Sequence, residues 1–131
     1  MGNNQELLHA GAIQKIAQFF KQYGYYDVSY DQLLWAIGEH LKYGTIEIVR
    51  DNNEIIAFCR YNLSNEYCDI LDVVIRPDWR RKHLLQAMIL NGFKKWNGTK
   101  WKSLPKIRFK RGLVSEKTKE YDMLKFLKGL K

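Results

Sequence analysis

The residues best suited to chemistry lie where an apolar strand gives way to a basic turn and then to a helix. Residues 70–75 are mostly β-branched or aliphatic, which is typical of a strand, and Pro77 ends the strand because it cannot donate a ladder hydrogen bond. Three cations follow at positions 80–82, and a helix with an apolar face begins directly after them. Since the start of a helix offers free N–H groups and partial positive charge, we predict an anion-binding site here.

This segment resembles the cofactor-binding motif of the GNAT superfamily of N-acetyltransferases, in which V-x-P-x-aromatic-R runs into Q/R-x-x-G-x-G/A. The first part of the motif is matched by Ile75, Arg76, Pro77, Asp78, Trp79 and Arg80. The second part is matched by Arg80 alone, since His83 and Leu85 replace the two small residues. In the family those small residues let backbone amides approach the pyrophosphate of coenzyme A.

The resemblance implies transfer of an acetyl group from acetyl-coenzyme A (acetyl-CoA) to an amine acceptor. It implies that a backbone N–H of Val73, Val74 or Ile75 holds the thioester carbonyl. The residues expected at the pyrophosphate are Arg80, Arg81, Lys82, His83, Leu84 and Leu85. Tyr121 lies in a Tyr-Asp-Met-Leu-Lys-Phe segment similar to the family's late Y-E-K-L-G-F, and is therefore the candidate acid that protonates the leaving thiolate.

An amine acceptor must also lose a proton, because an alkyl amine is protonated at neutral pH. Four carboxylates lie on or beside the predicted hairpin and the strand after it: Glu47, Glu54, Asp69 and Asp72. The sequence does not choose among them, and a solvated carboxylate on a strand face is the ordinary alternative for each. We take Asp72 as the candidate catalytic carboxylate.

Hydrophobic periodicity and turn residues outline the elements that carry these groups. They predict helices over residues 5–23, 29–44, 84–93 and 115–131, hairpin strands over 45–50 and 55–61, and strands over 67–75 and 106–111. This order resembles an α/β (α+β) GNAT fold, a mixed sheet flanked by helices. The resemblance implies one domain, residues 1–131, with the family's first strand missing and its C-terminal end shortened. The acceptor side would then be open or completed by a second chain in a homodimer.

The charge distribution suggests an alternative function. The formal net charge of +8 arises because residues 1–75 hold 5 Lys and Arg against 10 Asp and Glu, whereas residues 76–131 hold 17 against 4. Trp96, Trp101 and Phe109 lie among the cations of this basic part, a pattern that suits nucleic-acid binding. A catalytically inactive domain that binds nucleic acid or an acidic protein is therefore the second hypothesis. The ordinary alternative is a solvated basic face with its aromatic side chains in the core.

Other function classes receive no support from the sequence. No apolar run approaches the roughly 20 residues that span a bilayer, and the first residues lack the apolar region of a signal peptide, so we expect a cytoplasmic protein with no membrane contact. Cys59 and Cys68 do not form a C-x-x-C pair, and three scattered histidines show no ligand spacing. We expect no metal, and two half-buried thiols on neighbouring strands.

Overall fold

The computed structural model describes residues 2–24, 27–80, 82–98, 105–109, 120–123 and 126, with side chains from residue 11 onward except at 120 and 121. Its elements are α1 (Gly2–Tyr23), α2 (Tyr30–Tyr43), β1 (Ile46–Asp51), β2 (Glu54–Leu63), β3 (Tyr67–Ile75), α3 (Leu84–Trp96), β4 (Lys106–Phe109) and β5 (Glu120–Asp122). The strands form one sheet in the order β1-β2-β3-β4-β5. All neighbours are antiparallel except β3 and β4, between which α3 lies in the chain. The mixed sheet with helices predicted from the sequence is confirmed.

Helices α1 and α2 cover one face of this sheet. Their apolar stripes pack with Phe58 of β2 and Val74 of β3 in one buried cluster. Phe20 of α1 and Ile37 of α2 are each 1% exposed, and the Phe58 ring centre lies 6.3 Å from that of Phe20. Burial of each large apolar side chain contributes about 1.5–3 kcal/mol. The cluster therefore fixes β2 and β3 beneath the two helices.

Helix α3 contributes to a second apolar cluster, which also holds residues of the central strands. Met88 of α3 is fully buried with Ile70 of β3 and Ile107 of β4, each 0% exposed. Met123, directly after β5, is 1% exposed and belongs to the same cluster. Helix α3 is thus held against the sheet through this cluster.

Local sequence signals place the turns as expected. The hydroxyl of Ser29 accepts a hydrogen bond from the N–H of Gln32 at 3.2 Å, which caps the start of α2. Gly44 ends α2 in the left-handed conformation, with φ 72°. Asn52 and Asn53, which join β1 to β2, have φ values of 51° and 68°, the left-handed values that a tight hairpin turn requires.

The helix predicted over residues 115–131 is wrong for the part of that segment that forms β5. Glu120–Asp122 pair antiparallel with β4, and Tyr121 stands opposite Ile107. The apolar spacing suggested a helix, but the partner strand that satisfies these backbone groups lies elsewhere in the chain and leaves no periodic signal. Residues 111–119, 124–125 and 127–131 lie outside the described residues, as do 110 and 111 of the predicted strand over 106–111.

The two cysteines are buried and free, Cys59 on β2 and Cys68 on β3. Burial, followed by the nearby charge of Asp69, raises the pKa of the Cys68 thiol to about 12. Thiols so protected are poor nucleophiles. Of the helices in the described part of the chain, none has the length and apolarity to cross a bilayer. The same residues contain no cluster of His, Cys, Asp or Glu suited to a metal ion.

Replacing Gly44 by alanine should destabilise the protein by about 1–2 kcal/mol, because its φ of 72° is unfavourable for a residue with a Cβ. The added Cβ would also lie 3.4 Å from the ring of Trp96. Gly11→Ala is the matched control: it lies inside α1 with nothing within 4 Å of its Cβ position, and should stabilise by about 0.5–1 kcal/mol. Urea unfolding measures both variants, and equal effects of the same sign would contradict this account.

Candidate functional site

The backbone of β3 is open along one edge beyond its pairing with β4. The parallel pairing runs from Tyr67 opposite Lys106 to Ile70 opposite Phe109. Strand β3 continues to Ile75, and in the described residues no strand pairs with this edge beyond Ile70. Backbone groups that lack a strand partner are available to a ligand.

A β-bulge lies where this open edge begins. Arg60 of β2 is opposite Asp72, while Tyr61 is opposite Ile70, so Leu71 is an extra residue in β3. Bulges are frequent beside active sites, since they bend a strand and redirect its groups. No sequence pattern indicated this bulge.

The direction of the backbone N–H groups alternates along a strand, and this distinguishes the three donors expected from the sequence, Val73, Val74 and Ile75. The N–H of Arg76 donates to the carbonyl of Ile56 at 2.8 Å, so alternate residues from 76 backward direct their N–H groups toward β2. Val74 is one of these. Val73 and Ile75 therefore direct their N–H groups toward the open edge, and they are the donors this geometry makes available.

The turn after β3 is held by an ion pair. The guanidinium of Arg76 contacts both carboxylate oxygens of Asp78, Nε to Oδ1 at 2.7 Å and Nη2 to Oδ2 at 2.9 Å. This hydrogen bonding keeps the pKa of Asp78 below its usual value. Pro77–Trp79 form a single 3₁₀ turn, and the Lys82 ammonium lies 4.9 Å from the centre of the Trp79 ring. These contacts hold residues 76–79 where the chain leaves β3.

His83 adopts a backbone conformation that suits glycine. Its φ of 57° is left-handed, and it is the N-cap of α3 without a side-chain capping bond. The first intrahelical hydrogen bond runs from the N–H of Ala87 to the carbonyl of His83. The N–H groups of Leu84 and Leu85 precede that bond, so they are available at the positive end of the helix. His83 therefore keeps the left-handed backbone that suits a small residue, although it carries a large side chain.

Asp72 is buried in an ion pair. It is 1% exposed, and its Oδ2 lies 2.6 Å from Nη2 and 2.7 Å from Nε of Arg60. A carboxylate buried against an arginine has a structural reason to be present, because either charge alone would be costly. Its catalytic role stays a prediction.

Asp69 is held in a similar way on the other side of β3. Arg108 of β4 contacts both its oxygens, at 2.6 and 3.0 Å, and the guanidinium lies 3.6 Å from the centre of the Tyr67 ring. This bidentate contact joins β3 to β4 over the paired stretch, just before the strands cease to pair. Asp69 thus also has a structural partner.

The other two candidate bases also have cationic partners. Glu47 is 8% exposed, and its Oε2 accepts from Tyr61 at 2.6 Å and from Lys95 at 2.8 Å. Glu54 is exposed and lies 3.4 Å from Arg76. All four carboxylates that the sequence offered as bases are therefore ion-paired.

Of the predicted site residues, Arg81 lies outside the described residues. Tyr121 is placed by its backbone in β5, two strands from the open edge, and its side chain is not described. Arg80 and Lys82 are exposed in the loop before α3.

The basic, aromatic part of the chain gives the binding hypothesis little support where it is described. The indole N–H of Trp96 donates to the hydroxyl of Tyr61 at 3.1 Å, and the ring of Phe109 packs against Phe126 at 6.0 Å. Arg108 is paired with Asp69. Trp101 lies outside the described residues. Trp96 and Phe109 therefore make contacts within the fold, which agrees with the ordinary alternative of aromatic side chains in the core.

Sequence reasoning missed His40 and Arg60, which line a cavity of about 470 Å³ beside α2. Nδ1 of His40 lies 2.7 Å from Oγ1 and 3.1 Å from the carbonyl oxygen of Thr45. Burial, and then the charge of Arg60, lower the pKa of His40. Only the contact to Thr45 is local in sequence, and neither residue belongs to a motif that could have revealed it.

Comparison with protein families gives a match to the acetyltransferase (GNAT) family over residues 11–95 of this chain. That range is more than half of the 131 residues and contains β1, β2, β3 and nearly all of α3. No curated protein matches the chain.

Two solved structures resemble the fold. One is a protein assigned to the GNAT acetyltransferase family from Desulfovibrio desulfuricans, with TM-score 0.55, 13% identity, and coverage of 72% of this chain and 64% of that one. The other is the diaminobutyrate acetyltransferase of Paenibacillus lautus in complex with L-2,4-diaminobutyric acid and coenzyme A, with TM-score 0.58, 18% identity, and coverage of 76% and 60%. The chain spans less than two thirds of either relative, and at these identities the likeness concerns the fold.

Replacing Asp72 by asparagine should destabilise the protein by about 3 kcal/mol, because it leaves the charge of Arg60 buried without its partner. Glu54→Gln is the matched control. It also removes a carboxylate facing an arginine, but the Glu54 side chain is 75% exposed, so stability should hardly change. Urea unfolding of both variants provides the measurement. Similar losses in the two would show that burial of the Asp72 pair carries no special weight.

Proposed function

Since the chain belongs to the GNAT family of acetyltransferases, we propose that it transfers an acetyl group from acetyl-CoA to an amine acceptor. The observation that carries this proposal is the junction of the open edge of β3 with the start of α3, where His83 keeps a left-handed backbone. An extended molecule with a phosphate group at one end and a thioester at the other suits these two adjoining features. The substrate complex of the Paenibacillus lautus relative, which shares the fold, supports the same assignment.

In this proposal the loop after β3 and the first turn of α3 hold the pyrophosphate. The N–H groups of Leu84 and Leu85 donate to phosphate oxygens, and the helix dipole adds favourable charge. Arg80, Arg81 and Lys82 supply cations around them. The ion pair between Arg76 and Asp78 positions the loop without contacting the coenzyme.

The open edge of β3 then positions the reacting carbonyl. Acetyl-CoA supplies a thioester whose acetyl group the amine accepts. The N–H of Val73 or Ile75 donates to the carbonyl oxygen, where negative charge grows during attack, and a fixed backbone donor stabilises that charge without reorganising. Asp72 lies between these residues and the bulge, so its ion pair with Arg60 holds the backbone from which the donors project.

Calorimetric titration with acetyl-CoA is the test of coenzyme binding. The wild type should bind saturably, and His83→Gly should bind several-fold more tightly, because glycine keeps the left-handed φ and removes the side chain at the phosphate site. His83→Ala is the matched control, since it loses the imidazole but keeps a Cβ. It should bind no more tightly than the wild type.

Either of two results would count against this account. Absence of binding at millimolar acetyl-CoA would leave the fold intact and remove the enzymatic proposal, so that an anionic partner of residues 76–131 would have to be sought instead. Weaker binding by His83→Gly than by the wild type would mean that the imidazole contacts the phosphates rather than crowding them.

Tyr121 is proposed as the acid that protonates the departing thiolate. Tyr121→Phe should lower kcat by about 10²-fold or more, as expected for loss of a general acid, while the dissociation constant of acetyl-CoA stays unchanged. Turnover is followed as release of free thiol with an amine acceptor that the wild type uses. A kcat equal to that of the wild type would exclude Tyr121 from the mechanism, and a parallel loss of coenzyme binding would point to a structural effect.

A further inference from the structure

The exposed aromatic side chains of the protein are concentrated on α2. Among the described residues, the large hydrophobic side chains that are exposed are Tyr30, Trp35 and Tyr43, all on this helix, and the last two are 71% and 60% exposed. Glu39 lies between Trp35 and Tyr43 at four-residue spacing, so the three side chains share one face of the helix. Exposed aromatic residues grouped in this way usually mark a binding surface.

A cavity of about 470 Å³ adjoins this face. Trp35, Glu39 and Tyr43 form part of its walls. Trp96 at the end of α3 also lines it, as do His40 and Arg60. The volume is within the usual range for small-molecule sites, and three aromatic walls with a few polar groups are the usual lining. The cavity is bounded by α2, β2 and the end of α3, so it is separate from the open edge of β3 and from the start of α3.

The charges of the lining favour a cation. The charge of Arg60 is neutralised by Asp72 at 2.6 Å. His40 is held through Nδ1 by Thr45, and its pKa is lowered by burial and by Arg60, which favours the uncharged imidazole. Glu39 has no cation within ion-pair distance among the described residues. The cavity therefore presents one unbalanced carboxylate beside aromatic faces.

We propose that this cavity binds an organic ammonium ion with an apolar body, placing the cation beside Glu39 and the apolar body against Trp35, Tyr43 and Trp96. The aromatic walls bury the apolar body, and the carboxylate of Glu39 adds a charge-assisted hydrogen bond to the ammonium. An anion would meet Glu39 unfavourably, and a neutral molecule of the same shape would gain only the apolar contacts. The proposal does not rest on acetyl transfer, because it uses none of the residues assigned to the coenzyme.

Titration with phenethylammonium and with 2-phenylethanol, which has the same shape without the charge, tests this proposal. Changes in NMR amide shifts of α2 and β2 report binding at the cavity. Phenethylammonium should bind saturably and about tenfold more tightly than the alcohol, the difference expected for one charge-assisted contact at a partly exposed site. Equal affinities, or binding of neither probe, would overturn the proposal.

Variants test whether Glu39 is the residue that makes the cavity prefer a positively charged ligand. Glu39→Gln should reduce binding of phenethylammonium to the level of the alcohol and leave the alcohol unaffected. Trp35→Leu should weaken both probes, because it removes an aromatic wall. Asp51→Asn is the matched control, since it removes an exposed carboxylate at the opposite end of β1, about 16 Å along the strand, and should change neither affinity. A Glu39→Gln protein that is folded by circular dichroism and still prefers the ammonium would overturn the proposal.

Discussion

Asp69 and Asp72 of the central strand each form an ion pair with an arginine of a neighbouring strand, Arg108 of β4 and Arg60 of β2. The two carboxylates flank the extra residue Leu71, so the bulge is held on both sides. A buried ion pair is a weak source of net stability, but removal of either partner is costly. The pairs therefore fix one arrangement of β2, β3 and β4, and the open edge of β3 follows from that arrangement.

The same constraint determines what the carboxylates can do. A carboxylate whose oxygens already accept hydrogen bonds from an arginine has fewer acceptor positions left for a substrate. Glu47 is engaged in the same manner by Lys95 and Tyr61, and burial together with Glu47 raises the pKa of Tyr61 far above its usual value. Thus the charged residues of the sheet serve mainly to hold backbone groups in place, and the backbone provides the donors that the proposed reaction uses.

Sequence reasoning succeeded where a signal is local. Ser29, Gly44 and the Asn52-Asn53 turn were placed correctly because each acts on its own backbone, and the motif from Ile75 to Arg80 pointed to the family. It failed where the partner is distant. Asp69 and Arg108 are 39 positions apart in the sequence, which hides their contact. The apolar spacing predicts a helix where β5 forms, because the partner strand of β5 lies outside that segment. His83 shows the same limit, since the sequence reveals a side chain in place of glycine but not that the left-handed backbone persists.

Arg60 connects the two regions of the protein that offer binding sites. On one side its guanidinium neutralises Asp72 beside the bulge, and on the other it forms part of the cavity beneath α2. If Asp72 were absent, the charge of Arg60 would remain in the cavity and oppose a cation there. The ion pair thus serves both regions: it holds the central strand at its bulge, and it leaves Glu39 as the charge that decides which ligand the cavity accepts.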